Sequence, residues 1–409
     1  MTTATQKIPS GYKQTDIGVI PADWDVKSMG NIGEIRMCRR IFNHETKPFD
    51  AIPFYKIGTF GKEADAYISE NLYNNYRHRF SFPKKGDILI SAAGTIGRTI
   101  IYDGRPAYFQ DSNIIWIDNN EKLISNSYLY YVFQVAKYNT EGGTIQRLYN
   151  NILNDTRFIC PTKTEQDTII SVLSDTDALI EKLEKLIEKK KNIKQGVMQE
   201  LLTGKRRLSG FKDKWEVATL GYFFFLSATY SKTKLINDSG NYLIMDMGSV
   251  SSVGKMIASK RTLSTTDLLS TGDLVMPKDD IGGGNIIGKV AYIDQDNKYI
   301  LGDHVYKLTT KTPDIDTLFF SYLINSNAVS SKLKKKVSGS AQLGLGRKSV
   351  EEQDISFPKN KGEQTAIAII LSDMDTEIEK LESQLTKYQN LKQGMMQVLL
   401  TGKIRLLSK

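Results

Sequence analysis

The sequence predicts an α+β protein: two globular β-rich α/β domains joined by two long helices that form an antiparallel coiled coil, in a pseudo-two-fold repeat. The first observation is an internal repeat, since residues 165–208 recur without a gap as residues 363–406, with 26 of the 44 positions identical. A constant offset of 198 residues in a chain of 409 indicates two copies of one unit. The second observation is that each unit has a β-rich part followed by a helical part.

The helical parts carry apolar residues at intervals of three and four, and neither contains proline. Each copy ends on Thr-Gly-Lys, where Gly204 and Gly402 suit the left-handed residue that closes a helix. A helix of about 35 residues is longer than a small domain needs, and two copies of one apolar stripe are self-complementary, which favours a coiled coil. The alternative is that each helix packs on its own domain.

The β-rich parts contain short β-type runs between turns. The predicted domains are 1–164 and 209–362, and the helical segments are 165–208 and 363–409. The predicted strands are 87–91, 99–102 and 114–117 in the first domain and 273–276, 290–293 and 305–308 in the second. A short helix is predicted at 128–136 and again at 318–324.

Composition limits the class of protein. The net charge of +9 and the pI near 9.1 favour a polyanionic partner. There is no run of eighteen apolar residues, and the N-terminus lacks a signal-peptide core, so no membrane span is expected. Cys38 and Cys160 lie far apart and do not form a disulfide framework, which fits a reducing cytoplasm.

Catalytic and metal motifs are missing. The three histidines and two cysteines have no ligand spacing, so no metal site is expected. Residues 283–289 have the spacing of a phosphate-binding loop, but Val290 stands where Ser or Thr must meet Mg²⁺, so a tight turn between strands is favoured. No methyl-donor loop or catalytic tetrapeptide is present. We therefore expect no catalytic residues in this chain.

Features typical of nucleic-acid binding are more frequent, and they recur at matching places in both units. Gln and Arg on glycine-rich loops can reach base edges in the major groove, and cations meet phosphates. The run 76–79 places cations beside an aromatic residue in turn-like sequence. The candidate DNA contacts are Arg39, Arg40, Tyr76, Arg77, His78, Arg79, Thr95, Gln110, Thr144, Gln146 and Arg147 in the first unit and Lys232, Lys234, Lys278, Asn285, His304, Ser340, Gln342 and Arg347 in the second.

Several motifs together resemble a known family. They are GYKQTDIGVIP at 11–21 with Trp24, GDILIS at 86–91 with GTIG at 94–97, Glu-Gln opening each helical copy, and LLTGK closing each copy. Over nearly the whole chain these motifs resemble the DNA-specificity subunits of type I restriction–modification enzymes.

The resemblance implies a function for each part of the chain. Two target-recognition domains would each read one half of a bipartite, asymmetric site in double-stranded DNA. The coiled coil would set the spacer and dock two methyltransferase subunits, with restriction and translocation in further subunits. S-adenosylmethionine, ATP and Mg²⁺ are expected only in those partners, with no cofactor in this chain. The second domain has MPKDD at 276–280 where the first has SAAGTIG at 91–97, so contacts cannot be copied between the domains.

Two alternatives from other classes stay open. One is a single-chain DNA-modifying enzyme with built-in recognition domains, which would methylate or cleave DNA when purified alone. The other is a coiled-coil interaction protein without DNA binding, which would lack salt-dependent association with duplex DNA.

Overall fold

The computed structural model describes residues 8–138, 147–281, 283–339 and 343–406. The chain divides into two compact units, Met1–Leu183 with Gln384–Lys409, and Glu184–Ser383. Each unit therefore contains one β-rich part, the beginning of one long helix and the end of the other.

The first unit is built from short strands, short helices and part of a long helix. Its strands are β1 Tyr12–Thr15, β2 Gly18–Pro21, β3 Asp25–Ser28, β4 Gly33–Met37, β5 Ile52–Tyr55, β6 Tyr67–Ile68, β7 Ile88–Ser91, β8 Thr99–Ile101, β9 Tyr108–Phe109, β10 Ile114–Asn119 and β11 Arg157–Cys160. Its helices are α1 Glu70–Arg79, α2 Asn126–Val135 and α3 Asn150–Asp155, and the long helix α4 Lys163–Leu201 begins in it.

An antiparallel sheet in the order β4-β10-β7-β8 forms the centre of this unit. Its register places Ile115 of β10 opposite both Met37 of β4 and Ile90 of β7. All four residues of β7 are buried, as a continuous apolar run predicts for a strand covered on both faces. A second sheet has the order β6-β5-β9, in which β5 and β9 run parallel. The three strands predicted in this domain are confirmed.

The second unit repeats this organisation. Its strands are β12 Glu216–Thr219, β13 Phe224–Ser227, β14 Tyr242–Met245, β15 Arg261–Thr262, β16 Leu274–Pro277, β17 Asp279–Asp280, β18 Ala291–Tyr292, β19 Tyr299–Leu301, β20 Val305–Thr310, β21 Leu343–Gly344 and β22 Asp354–Phe357. Its helices are α5 Leu220–Phe223, α6 Thr317–Asn325, α7 Asn327–Lys335 and α8 Arg347–Glu351, and the long helix α9 Lys361–Leu399 begins in it.

The two units share one topology although their β-rich sequences scarcely resemble each other. The order β13-β20-β16-β18 matches the central sheet of the first unit, and β15-β14-β19 again contains one parallel pair, β14 with β19. The pair β12–β22 corresponds to β3–β11. The second unit adds the short pair β17–β21. The fold is therefore α+β with two repeated domains, as predicted.

The long helices α4 and α9 are each 39 residues long and begin two residues before the predicted starts. Each helix joins a globular core. In the first unit Leu173 of α4 and Leu399 of α9 belong to the core that contains Tyr128 of α2. In the second unit Leu371 of α9 and Leu201 of α4 belong to the core that contains α6. The alternative, a helix packed on its own domain, thus describes only the beginning of each helix, since the end of each belongs to the core of the other unit.

The helices also pair with each other within each unit. In the second unit Lys190 Nζ lies 2.6 Å from Glu377 Oε1, and Lys194 pairs with Asp375. Rising numbers in α4 meet falling numbers in α9, so the paired segments are antiparallel. In the first unit Lys392 Nζ of α9 lies 2.6 Å from Asp177 Oδ1 of α4.

A tyrosine from each globular part completes these ion pairs. The Tyr131 hydroxyl donates to Asp177 at 2.9 Å, and the Tyr322 hydroxyl donates to Asp375 at 2.8 Å. Lys392 Nζ lies 5.5 Å from the centre of the Tyr131 ring. Burial, and next the neighbouring aspartate, raises the pKa of both phenols, so each stays a hydrogen-bond donor.

The repeated Glu-Gln at the start of each helix has a structural role. Gln166 and Gln364 are both fully buried. Gln166 Oε1 accepts from the Ser125 amide at 3.0 Å, and Gln364 Oε1 accepts from the Asp316 amide at 2.8 Å. Ser125 and Asp316 are the N-cap residues of α2 and α6, so each glutamine ties a long helix to a short one.

The glycines after each long helix adopt the conformation predicted from the sequence. Gly204 has φ +70° and Gly402 has φ +68°. Their amides donate to the carbonyls of Leu201 and Leu399, which satisfies oxygens that a helix end leaves unpaired.

Candidate nucleic-acid interface

In the first unit, loop 110–113 between β9 and β10 holds two of the predicted arginines. Arg40 Nε lies 2.8 Å from Asp111 Oδ2, and Arg147 Nη2 donates to the Ser112 carbonyl at 2.9 Å. Ser112 has φ +54°, a left-handed conformation that is uncommon for serine. The loop thereby brings together Arg40, which is 71 residues from Asp111 in sequence, and Arg147, which is 35 residues from Ser112.

Gln110 lies in the same loop and faces a cleft. Its Oε1 accepts from the Ile57 amide at 2.9 Å, which leaves the Nε2 group as a donor. The cleft has a volume of about 260 Å³, and Arg40 lines it together with Gln110. Asn43 and Lys56 also line it. The sequence does not predict either residue, because nothing in their local sequence distinguishes them from ordinary surface residues.

The cleft combines donors and acceptors rather than cations alone. The Arg40 side chain is 60% exposed, so its ion pair with Asp111 is worth little in water and its guanidinium can exchange partners. Guanidinium and amide groups match guanine and adenine edges, and a carboxylate accepts from the cytosine amino group. This chemistry suits base edges as well as phosphates.

The run 76–79 is the last turn of helix α1, so the expectation of a turn is wrong. The run is helical because Ser69 caps the helix and its cations meet the negative end of the helix dipole. The guanidinium of Arg79 lies 5.5 Å from the Phe80 ring centre, and that of Arg39 lies 5.3 Å from the same ring. Two predicted residues are therefore brought to one aromatic side chain.

Other predicted residues of the first unit lie nearby in the structure. The Tyr76 hydroxyl donates to Glu45 Oε1 at 3.3 Å, and Arg77 stacks on the Tyr73 ring at 5.8 Å. His78 is exposed on the same helical turn. Thr95 is exposed in the loop between β7 and β8.

In the second unit the predicted residues lie at an equivalent edge of the sheet. The Lys278 amide donates to the His304 carbonyl at 2.9 Å. In the first unit the Ala92 amide donates to the Asn113 carbonyl at 2.8 Å. In the first unit the bond joins the residue after β7 to the residue before β10, and in the second unit it joins the residue after β16 to the residue before β20. These positions therefore correspond.

His304 is exposed at this edge and has φ +60°. Its Nδ1 lies 2.7 Å from Asp279 Oδ2, which fixes the orientation of the ring. Lys278 Nζ lies 6.0 Å from the centre of the Tyr306 ring. A cation and an imidazole are therefore presented together.

The remaining second-unit candidates differ in how they are held. The Leu345 amide donates to the Lys278 carbonyl at 2.7 Å, which brings the start of α8 to this edge. Arg347 lies there, with Nε 2.8 Å from Glu351. Asn285 and Lys234 are exposed.

The prediction for Lys232 is corrected by its burial. Its side chain is only 9% exposed, and Nζ lies 2.6 Å from Asp267 Oδ2 and 3.2 Å from the Thr266 hydroxyl. The hydrogen bond from Lys232 lowers the pKa of Asp267. Lys232 therefore stabilises its own loop and does not face a phosphate. Thr144, Gln146, Ser340 and Gln342 lie outside the described residues.

The loop with phosphate-binding spacing is a turn between β17 and β18. Gly283, Gly284 and Gly288 all have positive φ. Lys289 Nζ donates to the Asn325 carbonyl at 2.8 Å, and burial lowers the pKa of its ammonium. The lysine that would meet a nucleotide is thus used to hold the end of α6.

In the described parts of the chain, no three His, Cys, Asp or Glu side chains lie close enough together to hold a metal ion. Within the same parts, no helix combines the length and the apolar character that a membrane span needs.

The family model of the type I restriction modification DNA specificity domain matches the chain twice, over residues 21–195 and 212–387. The chain belongs to this family. It is a type I restriction–modification specificity subunit with two target-recognition domains, as the sequence motifs implied.

Relatives of this specificity subunit carry the same description. A protein of Haemophilus influenzae, provisionally named a type I restriction enzyme specificity subunit, is 54% identical over 155 residues, 38% of this chain and 40% of that protein. The type I restriction enzyme MjaVIII specificity subunit of Methanocaldococcus jannaschii is 27% identical over 413 residues, 94% of each chain.

Solved structures support the fold. The type I restriction–modification S subunit from M. genitalium superposes with a TM-score of 0.63 at 15% identity, covering 98% of this chain and 99% of that one. A chain from a structural study of complex assembly in the type I restriction–modification system gives 0.52 at 12% identity, covering 94% and 99%. At such identities the likeness concerns the fold alone.

Proposed function

We propose that each target-recognition domain reads one half of a bipartite, asymmetric site in duplex DNA. The observation that carries the proposal is that equivalent sheet edges present unlike side chains. The first domain offers Arg40, Gln110 and Arg147, whereas the second offers Lys278 and His304. Since base recognition depends on which donors and acceptors enter the groove, unlike edges select unlike half-sites.

The first domain has the geometry for direct contact with base edges. The bond from Arg147 to the Ser112 carbonyl orients the guanidinium, and a pre-oriented fork favours bidentate pairing with guanine. Gln110 is fixed through its Oε1, so its amide nitrogen can donate to a base. Arg39 and Arg79, stacked on one ring, suit the adjacent phosphates.

The second domain offers a different set of groups. Lys278 is a flexible point charge, which suits a phosphate or the acceptors of guanine. His304 is held by Asp279 at Nδ1, and its Nε2 lies 3.6 Å from Asp303 Oδ2, beyond hydrogen-bond distance, so Nε2 can still donate to or accept from a base. Contact preferences of the two domains therefore differ in charge and in shape.

The paired helices are proposed to set the spacer between the half-sites and to dock two methyltransferase subunits. A helix of 39 residues at ~1.5 Å per residue is about 60 Å long, more than one DNA turn of ~34–36 Å. Contacts repeated at an offset of 198 residues present two alike surfaces, which favours two copies of one partner. Methyl transfer, cleavage and translocation, with S-adenosylmethionine, ATP and Mg²⁺, belong to partner subunits.

The decisive experiment maps methylated sites in cells that express this chain with its methyltransferase subunit. The wild-type chain should give a split motif with two defined halves. The double variant Arg40→Ala with Gln110→Ala should relax one half, and Lys278→Ala with His304→Ala should relax the other. An altered motif in both halves from either double variant would contradict the proposal.

Arg105→Ala is a matched control for these variants. The Arg105 side chain is 87% exposed, and the residue follows β8. The end of β8 pairs with the start of β7, since Ile101 lies opposite Ile88, whereas the proposed interface lies beyond Ser91 at the other end of β7. It is thus an exposed arginine away from the proposed interface, and the methylated motif should not change. The purified chain alone should show no methylation or cleavage of DNA.

Spacer length and stoichiometry have their own tests. One heptad inserted in both α4 and α9 adds ~10 Å, which corresponds to a spacer longer by up to about three base pairs. An unchanged spacer would exclude the role of the helices as a ruler. Native mass spectrometry of the co-expressed complex should show two methyltransferase copies, and a single copy would contradict the docking proposal.

A further inference from the structure

Phe42 is an exposed aromatic residue next in sequence to residues that line the first-unit cleft. It lies between Ile41 and Asn43, which both line the cleft, and it is 50% exposed. Its ring stacks on that of His44, with centroids 5.8 Å apart and planes at 13°. Single exposed apolar residues are common, but this one belongs to a stacked pair beside a polar cleft.

The turn that carries this stack is held by several hydrogen bonds. The Phe42 amide donates to Glu45 Oε2 at 2.8 Å, and the Thr46 hydroxyl donates to the Asn43 carbonyl at 2.8 Å. The other oxygen of Glu45 accepts from the Tyr76 hydroxyl at 3.3 Å, which ties the turn to α1. The stack is therefore pre-organised, and little conformational freedom is lost when a ligand contacts it.

Three arginines lie around the stack, together with the carboxylates of Glu45 and Asp111. Arg40 lines the adjacent cleft, and Arg39 and Arg79 flank the Phe80 ring at the end of α1. An apolar protein partner would cover these guanidinium groups without pairing them, which is costly. Duplex DNA meets both requirements, because phosphates pair with the arginines while base faces accept an aromatic ring.

We propose that Phe42, supported by His44, is a wedge that inserts between neighbouring base pairs in the half-site read by the first domain. The inference rests on the proposed function and adds a contact of another kind. Inserted apolar side chains unstack a base step, so the half-site is selected by how easily that step opens as well as by base edges.

The second domain differs at the equivalent position. Phe42 precedes the short turn 43–45 between β4 and β5, and Lys232 precedes the short turn 233–235 between β13 and β14. Lys232 is buried against Asp267 rather than exposed. The loss caused by a Phe42 variant is therefore confined to the half-site of the first domain.

The test uses the complex of this chain with its methyltransferase subunit and a duplex containing the methylated motif. 2-Aminopurine is placed at each step of the first-domain half-site in turn. The wild-type complex should raise the fluorescence at one step that is not the methylated base. Phe42→Ala should abolish that signal and Phe42→Leu should retain it, because leucine is also an apolar wedge.

The same complex is then titrated with a duplex mismatched at that step. Wild type should bind the mismatched duplex at least about tenfold tighter than the intact duplex, because the unstacking is already done. Phe42→Ala should bind both equally. Phe225→Ala is the matched control, since Phe225 is 62% exposed and pairs with Thr309 at the far end of β20 from His304.

The outcomes separate this inference from the proposed function. The methylated base itself leaves the helix in methyltransferases, so its own 2-aminopurine signal is an internal control that should persist in Phe42→Ala. Specific binding without any wedge signal, or a mismatch preference kept by Phe42→Ala, would overturn the wedge and leave the reading of half-sites intact. Absence of sequence-specific binding by wild type would overturn both.

Discussion

Replacement of Arg207 by alanine is expected to destabilise the second unit by about 3 kcal/mol. Arg207 Nε and Nη2 donate to the two carboxylate oxygens of Glu363 at 2.6 and 2.7 Å, and the Glu363 side chain is 1% exposed. Loss of one member of a buried ion pair costs about 3–5 kcal/mol. The lower end applies because Glu363 lies in the first turn of α9, where the helix dipole favours a carboxylate.

The repeated copy of this pair gives an internal comparison. Arg405 Nε donates to Glu165 Oε1 at 2.8 Å in the first unit. There, however, Trp24 Nε1 donates to Glu165 Oε2 at 2.6 Å, so the carboxylate keeps a donor when Arg405 is removed. The corresponding Trp215 has a buried Nε1 without a hydrogen-bond partner in the described part of the chain. Arg405 also donates to Asp23 at 2.8 Å, but the Asp23 side chain is 52% exposed, so that pair contributes little. Arg405→Ala should therefore cost only about 1.5 kcal/mol.

Urea denaturation and thermal melting of the full chain measure the difference. For a unit of this size about 3 kcal/mol corresponds to a fall in Tm of roughly 6–12 °C. Hydrogen exchange at the start of α9 and of α4 assigns each loss to its unit. Arg206→Ala is the control: its pair with Glu200, at 3.4 Å on the surface, should contribute less than about 0.5 kcal/mol.

Glu363→Gln in the Arg207→Ala background should restore most of the stability, because the buried group is then neutral. Two results would refute the reasoning: equal losses for Arg207→Ala and Arg405→Ala, or no recovery with Glu363→Gln.

Three further predictions concern single residues. In denaturation Gly402→Ala should cost at least about 2 kcal/mol and Gly204→Ala about 1 kcal/mol. The difference arises because a Cβ at 402 would lie 2.4 Å from Pro21 Cδ, whereas one at 204 would lie 3.2 Å from the nearest atom. Asp267→Asn should cost about 1 kcal/mol at pH 7 after allowance for solvent screening. Since the hydrogen bond from Lys232 lowers the pKa of Asp267, this difference should be present at neutral pH and shrink as pH falls through the native pKa, and a difference that does not vary with pH would exclude the ion pair. Leu371→Ala should cost about 2–5 kcal/mol, measured by urea denaturation, because the side chain is fully buried.

Periodicity and the repeat were sufficient to predict the elements that pack by simple rules. The strand 87–91 was predicted because a continuous apolar run between turn signals is typical of a covered strand, and β7 is buried throughout. The long helices were predicted because their apolar stripe persists for many turns without proline. Their starts were missed by two residues, since the ends of helices depend on capping contacts that periodicity does not contain.

The candidate interface was predictable only in part, because its residues meet through tertiary contacts. Arg40 and Asp111 are 71 positions apart, and no local pattern joins them. Lys232 was indistinguishable in sequence from an exposed lysine, and only its proximity to Asp267 identifies a structural ion pair. No sequence pattern marks Phe42, because exposure of an aromatic residue depends on the fold around it rather than on its neighbours in the chain.

The pattern of repeated contacts explains why the helices stayed alike while the β-rich parts diverged. Lys194 with Asp375 and Lys392 with Asp177 are the same contact made twice, and each pair takes its lysine from one copy of the helix and its aspartate from the other. A change that suited one helix alone would therefore break a contact with its partner helix. The candidate DNA contacts bind loops within their own domain, as Arg40 does with Asp111. Such residues can change without a matching change in the other copy, which is what two readers of different half-sites require.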